Sequence, residues 1–223
     1  MEKKQSDLCL EILRRFHKAG ILNDLILIGS WCIYFYKEYF NNAPYIDQAA
    51  IRTRDIDFLI NRPAKIRHTV NIPELLKDLG FVTIFKGREA YVKLGHPDLM
   101  LEFLVTEKGK GTDRPVPLAK LGMNAVALRF LSLLSDNIIK IKIGDFNISM
   151  PHPANFALHK LIIFQRRFKE EKAIKDRSAA IDILKALIKK GEEANVKHIF
   201  NSMIPKLQKK VIKGLQETRE KIF

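Results

Sequence analysis

Two aspartates, Asp55 and Asp57, stand two residues apart in the run RDIDFLI at 54–60. Alternate residues of an extended strand share a face, so these carboxylates project together while Ile56 and Phe58 point the other way. Two adjacent negative charges are unfavourable without a cation. Hard oxygen ligands from one or two carboxylates, completed by substrate phosphates, are the usual means of holding Mg²⁺. Glu102 is the only charged residue of the apolar run LMLEFLV at 99–105 and completes an acidic set if that run lies beside 54–60. Each piece alone has a plainer reading: a solvated strand edge for Asp-x-Asp, and a salt bridge to one of many Lys and Arg residues for Glu102.

Gly29-Ser30 adds a second kind of signal, because it follows the short apolar run LILIG and precedes a helix-forming stretch. Glycine permits close backbone approach, and the amides of a helix N-terminus favour phosphate. Three separated features therefore describe one phosphate and metal site.

The elements that must position these residues follow from periodicity. Leu8, Leu10, Ile12, Leu13 and Phe16 predict an amphipathic helix over 6–19, stopped by Gly20. LILIG at 25–29 reads as a buried strand, and WCIYFYKEYF at 31–40 as a helix packed behind it, its aromatic residues serving as core. A loop at 41–50 leads to the strand 54–60. A short helix at 72–79 begins at Pro73 and is closed by Gly80. Strands at 81–85 and 89–94 are joined by Lys86-Gly87-Arg88, and a strand at 99–105 follows. The polar stretch 106–117 reads as a loop, and 124–149 as a peripheral hairpin. From Pro151 the chain is helical, with Leu158, Leu161, Ile162 and Phe168 as an apolar stripe. The domain reading is a catalytic unit at 1–120, a hairpin or linker at 121–150 and a helical unit at 151–223.

The whole chain has 223 residues, 47% of them hydrophobic and 29% charged, as in a folded globular protein. Its net charge of +14 favours polyanionic partners such as nucleic acid or nucleotides, or else serves solubility. Cys9 and Cys32 carry no zinc-like spacing, and no signal peptide or membrane span is read, so a reduced, cytoplasmic protein without a membrane partner is expected. The six histidines lack HExxH spacing, and neither a Gly-x-Ser-x-Gly elbow nor a Walker A loop occurs.

The order of apolar strand, Gly29-Ser30, helix, Asp55-Ile56-Asp57 and later Glu102 resembles the DNA polymerase β-like nucleotidyltransferase superfamily. The stretch Arg52-Thr53-Arg54-Asp55-Ile56-Asp57-Phe58 looks like the R-[ST]-x-D-I-D-F form of bacterial nucleotidyltransferase-like proteins and abortive-infection type toxin nucleotidyltransferases. In the tail, His159-Lys160, Arg166-Arg167 and Lys175-Asp176 look like basic positions of related proteins.

The resemblance implies an α+β nucleotidyltransferase fold, a mixed sheet flanked by helices, with a C-terminal helical region. It implies two Mg²⁺ ions on Asp55, Asp57 and Glu102, and an NTP bound by Gly29, Ser30, Arg52, Lys160 and Arg166. A nucleoside monophosphate would pass to a hydroxyl acceptor: RNA such as tRNA, to which the charge leans, or a small hydroxylated molecule or a protein side chain, which fit the site equally. The alternatives are a non-catalytic nucleotide- or nucleic-acid-binding module of the same fold, and the toxin of a toxin–antitoxin pair whose partner is a cognate antitoxin protein.

Overall fold

The computed structural model describes residues 3–41, 53–87, 89–109, 111 and 114–218. The chain divides into two compact units, one of residues 1–34 with 48–151 and one of residues 35–47 with 152–223.

The first unit opens with helix α1 (Lys3–Lys18). Cys9, Ile12, Leu13 and Phe16 form its buried stripe, and Gly20, at φ 76°, ends the run. Strand β1 (Ile26–Ile28) is buried throughout, and α2 (Trp31–Tyr39) starts three residues later. Strand β2 is Asp55–Leu59. Helix α3 (Ile72–Leu75) is capped by Asn71, whose side chain accepts from the Glu74 amide at 3.3 Å. Then come β3 (Val82–Lys86), β4 (Tyr91–Gly95) and β5 (Met100–Thr106). They are followed by β6 (Val116–Leu118), β7 (Met123–Leu128), α4 (Ser132–Ser135), β8 (Ile138–Ile143) and β9 (Phe146–Pro151).

These strands make one mixed sheet with the order β3-β4-β5-β2-β1-β9-β8, β7 pairing with both β5 and β6. β2 runs parallel to β5 and antiparallel to β1. The hairpin expected within 124–149 is β8–β9, and β9 continues the main sheet by running parallel to β1. Strand β6, within the stretch read as a loop, and strand β7 were not expected. β7 lies parallel to the last residues of β5.

One sheet face packs on α1: Phe16 meets Phe58 edge-on at 5.5 Å between ring centres, and Phe58 stacks on Phe103 at 6.0 Å. The other face is divided. Toward one end it is apolar, where Ile26, Ile28, Leu59 and Leu104 cluster under Leu131 and Leu134. Toward the other it carries the acidic residues.

The second unit contains α5 (Pro153–Ile163), α6 (Glu170–Lys189), α7 (Glu193–Ser202) and α8 (Pro205–Thr218), with the aromatic second half of α2. Phe35, Tyr36 and Phe40 are buried, and Tyr36 meets Phe156 edge-on, so the aromatic cluster is core as its spacing suggested. Gly214 lets α8 close on α5: a Cβ there would lie 2.9 Å from the Leu161 carbonyl oxygen. No helix among the described residues is long and apolar enough to cross a membrane.

His159, buried in α5, has no hydrogen-bond partner on Nε2 among the described residues. Burial, reinforced by the Lys160 charge and opposed by Asp176, lowers its pKa to about 3. An unfolded chain protonates this imidazole below about pH 6.5, whereas the folded chain does not. The stability tied to the neutral ring is therefore complete above that pH and lost as pH falls toward the folded value. His152, its pKa also lowered chiefly by burial, acts with the same sign. Unfolding free energies from urea titrations should decline through His159 by up to about 1.4 kcal/mol per pH unit below about pH 6.5, and His159→Leu should flatten the decline.

Candidate active site

β2 is flanked by β1 and β5, and this placement decides what surrounds its carboxylates. In the parallel β2–β5 ladder Asp57 is level with Glu102, and Asp55 with Met100. Level residues of neighbouring strands share a face, so Asp55, Asp57 and Glu102 stand on one side of the sheet. Opposite Asp57 on the other neighbour is Ile28, the last residue of β1. Asp55 is exposed and Asp57 half-buried, while Ile56 and Phe58 are buried on the α1 side. The strand entrance is fixed by the backbone: the Met100 amide donates to the Arg54 carbonyl at 2.7 Å, and the Asp55 amide donates to Thr53 Oγ1 at 3.2 Å.

Gly29 follows β1 at φ 74°, in the left-handed region, and a Cβ there would lie 2.5 Å from Asp57 Oδ2. The glycine is therefore required twice, by its conformation and by the carboxylate beside it. Ser30 and the first turn of α2 come next, the Cys32 amide donating to the Gly29 carbonyl at 3.2 Å and the Ile33 amide to that of Ser30 at 3.1 Å. A helix N-terminus thus opens next to the acidic strand. Gly29→Ala should cost about 1 kcal/mol of stability through its backbone. It should also weaken nucleotide binding, followed by titration with a fluorescent nucleotide, by roughly tenfold or more because Asp57 must move.

Glu102 has the salt-bridge partner that its plainer reading allowed, although the sequence reading did not single out which residue it is. Lys93 of β4 donates from Nζ to Glu102 Oε2 at 2.6 Å, with the two side chains only 15% and 17% exposed. The β4–β5 pairing, Leu94 with Leu101, puts residue 93 level with 102. The signal was present in the sequence, since two consecutive strands joined by the short link 95–98 form an antiparallel pair whose register can be counted. Among the described residues, no three His, Cys, Asp or Glu side chains gather in a group that could hold a metal ion.

The chemistry of the donors nevertheless fits a divalent ion. Asp55 and Asp57 supply hard oxygens on one face, Glu102 is level with Asp57, and the missing Cβ of Gly29 lets the Asp57 carboxylate sit against the turn into α2. Of the cations expected at the nucleotide, Arg52 lies outside the described residues. Arg166 is exposed at the end of the turn that follows α5. Lys160 is buried, its Nζ bonded to Asp176 Oδ1 and placed over the Phe156 ring. Asp176 also accepts from Arg167 Nε at 2.7 Å. Burial acts to raise the Asp176 pKa, but Lys160 and then Arg167 outweigh it and hold the carboxyl below its usual range.

Comparison with known proteins bears on this arrangement. Among solved structures, the chain is similar to an antigenic nucleotidyltransferase-like protein from Paracoccidioides brasiliensis, with a TM-score of 0.51 and 14% identity over 96% of this chain and 89% of that one. It is also similar to ANT(2'')-Ia in complex with adenylyl-2''-tobramycin, with a TM-score of 0.48 and 11% identity over 88% of this chain and 97% of that one. No curated protein matches it significantly. A protein-family model described as nucleotidyltransferase matches residues 8–205, which is most of the sequence. With an α+β mixed sheet that shares its fold with a nucleotidyltransferase-like protein, the chain belongs to that nucleotidyltransferase family.

Proposed function

We propose that this protein transfers a nucleoside monophosphate from a nucleoside triphosphate to a hydroxyl acceptor, with Mg²⁺ held by Asp55, Asp57 and Glu102. The observation that carries the reading is the in-register placement of Asp57 beside Glu102, with Gly29 against Asp57 on the other side. A divalent ion bound there would neutralise triphosphate charge and acidify the acceptor hydroxyl. Gly29 lets Asp57 approach the turn, and Ser30 with the first amides of α2 orients the β- and γ-phosphates. Arg52 supplies positive charge to the leaving pyrophosphate. Glu102 receives the acceptor proton. The acceptor oxygen then bonds to the α-phosphorus as the bond to the β-phosphate oxygen breaks. Most of the rate derives from positioning and charge neutralisation. Lys160, bonded to Asp176, is assigned here to holding α5 on α6.

RNA, tRNA included, is the acceptor class that the charge distribution favours. Residues 152–223 hold seventeen of the 39 Lys and Arg but only eight of the 25 Asp and Glu. Lys206, Lys209 and Lys213 are exposed along α8, and Phe168 is fully exposed between Arg167 and Lys169, as a base-stacking side chain would be. A second reading, a non-catalytic nucleotide-binding module, is favoured by the engagement of Glu102 with Lys93.

Purified protein incubated with Mg²⁺, each α-labelled nucleoside triphosphate and total RNA separates the two. Label on RNA with the wild type and none with Asp55→Ala/Asp57→Ala supports transfer. No label from any nucleotide, with nucleotide binding unchanged in the double variant, sinks the catalytic reading.

A further inference from the structure

Across one face of the sheet, β4, β5 and β2 place Lys93, Glu102 and Asp57 in a single row. Lys93 stands on the far side of Glu102 from Gly29, away from the loop assigned to the triphosphate. Its ammonium is bonded to a carboxylate counted among the metal ligands, and both groups are largely withdrawn from water. Among the described residues the acidic side chains make no closed group of three. These observations share one explanation.

We infer that Lys93 is a positioning residue that acts as a built-in competitor for the third carboxylate. It holds Glu102 while no divalent ion is present, and so sets the metal concentration at which the site is completed. This deepens the proposed function and rests on it.

The physical grounds are simple. A carboxylate whose Oε2 accepts a charge-assisted bond at 2.6 Å offers a cation at most its other oxygen without breaking that bond. The ammonium that remains nearby repels the incoming ion, more strongly here than in bulk water because the pair is largely buried. Metal binding must therefore overcome a bond and a like charge. Among the described residues Lys93 bonds to Glu102, so this cost falls on Glu102 rather than on Asp55 and Asp57. The expected sequence is capture of the ion by the aspartates, then recruitment of Glu102 and release of the lysine. A lysine that merely braced the strand pair would show no such link to metal.

The test is direct Mn²⁺ binding, measured by electron paramagnetic resonance of free Mn²⁺ with and without a non-hydrolysable nucleoside triphosphate. The wild type is compared with Lys93→Met, Lys93→Arg, Glu102→Gln and the Lys93→Met/Glu102→Gln pair. Melting temperatures confirm that each variant is folded. Lys93→Met should bind Mn²⁺ roughly tenfold more tightly, the order expected for removal of one neighbouring charge. Lys93→Arg, which keeps the charge, should stay near the wild type, and the tightening should vanish in the Glu102→Gln background. Unchanged or weaker Mn²⁺ binding by Lys93→Met overturns the inference, as does equal tightening with and without Glu102. Asp55→Ala/Asp57→Ala tests the underlying reading separately: if Mn²⁺ affinity survives in that variant, the metal site itself is misassigned.

Discussion

Asp57→Asn should lower nucleotide transfer by roughly a thousandfold or more while leaving the melting temperature within about 2 °C of the wild type. The substitution keeps size and shape and removes only a charge. Asp57 stands between the two features that the reaction needs together, level with Glu102 in one ladder and beside Gly29 at the end of the other. No neighbouring carboxylate can replace it: Asp55 is two residues along the strand and exposed, and Glu102 is bonded to Lys93. The loss should fall on kcat, because the charge matters most as pyrophosphate departs. Label transfer under saturating nucleotide checks this directly. A drop of less than tenfold would mean that Asp57 is not a ligand, and the site would have to be sought elsewhere.

The largest effect on stability should come from Asp176→Asn. Asp176 is buried and accepts from two cations, Lys160 and Arg167. Arg167 is partly exposed and can turn to solvent, but Lys160 is enclosed within α5. Removing the carboxylate charge leaves a buried ammonium without its counter-charge, at a cost of about 3–5 kcal/mol. For a chain of this length that lowers the melting temperature by about 10 °C. Replacing both partners, as Lys160→Met/Asp176→Leu, should recover most of the loss, since an apolar pair can substitute for a buried ion pair. Differential scanning calorimetry of these variants and of Lys160→Met distinguishes this from a nucleotide-binding role for Lys160. Such a role would leave the apo protein's stability largely unchanged in Lys160→Met.

How much of this was legible in the sequence depended on whether the deciding partner was near in the chain. β2 was readable because alternation places Asp55 and Asp57 together whatever surrounds them, and Gly29 because a glycine between a buried strand and a helix has few uses. The pairing of β2 with β5 was posed as a condition, and the ladder meets it. β7 and the docking of β9 on β1 were not readable, since parallel partners lie far away in sequence and leave no local mark on it. Lys160 shows the limit of residue type. A lysine in a basic helical tail looks like a phosphate ligand, but burial and the carboxylate of Asp176 on the next helix direct it inward.

The parallel contact of β1 with β9, Ile26 level with Ser149, also governs the order in which the molecule can be completed. The strand that leads into Gly29 is made early in synthesis, yet one of its two edges waits for residues more than a hundred positions later. Until then Ile26–Ile28, buried in the finished sheet, can be paired along one edge alone, with β2. A nascent chain stopped after β5 would already hold Asp55, Asp57 and Glu102, but with an open apolar edge next to the Gly29-Ser30 turn, where wrong pairing competes with folding.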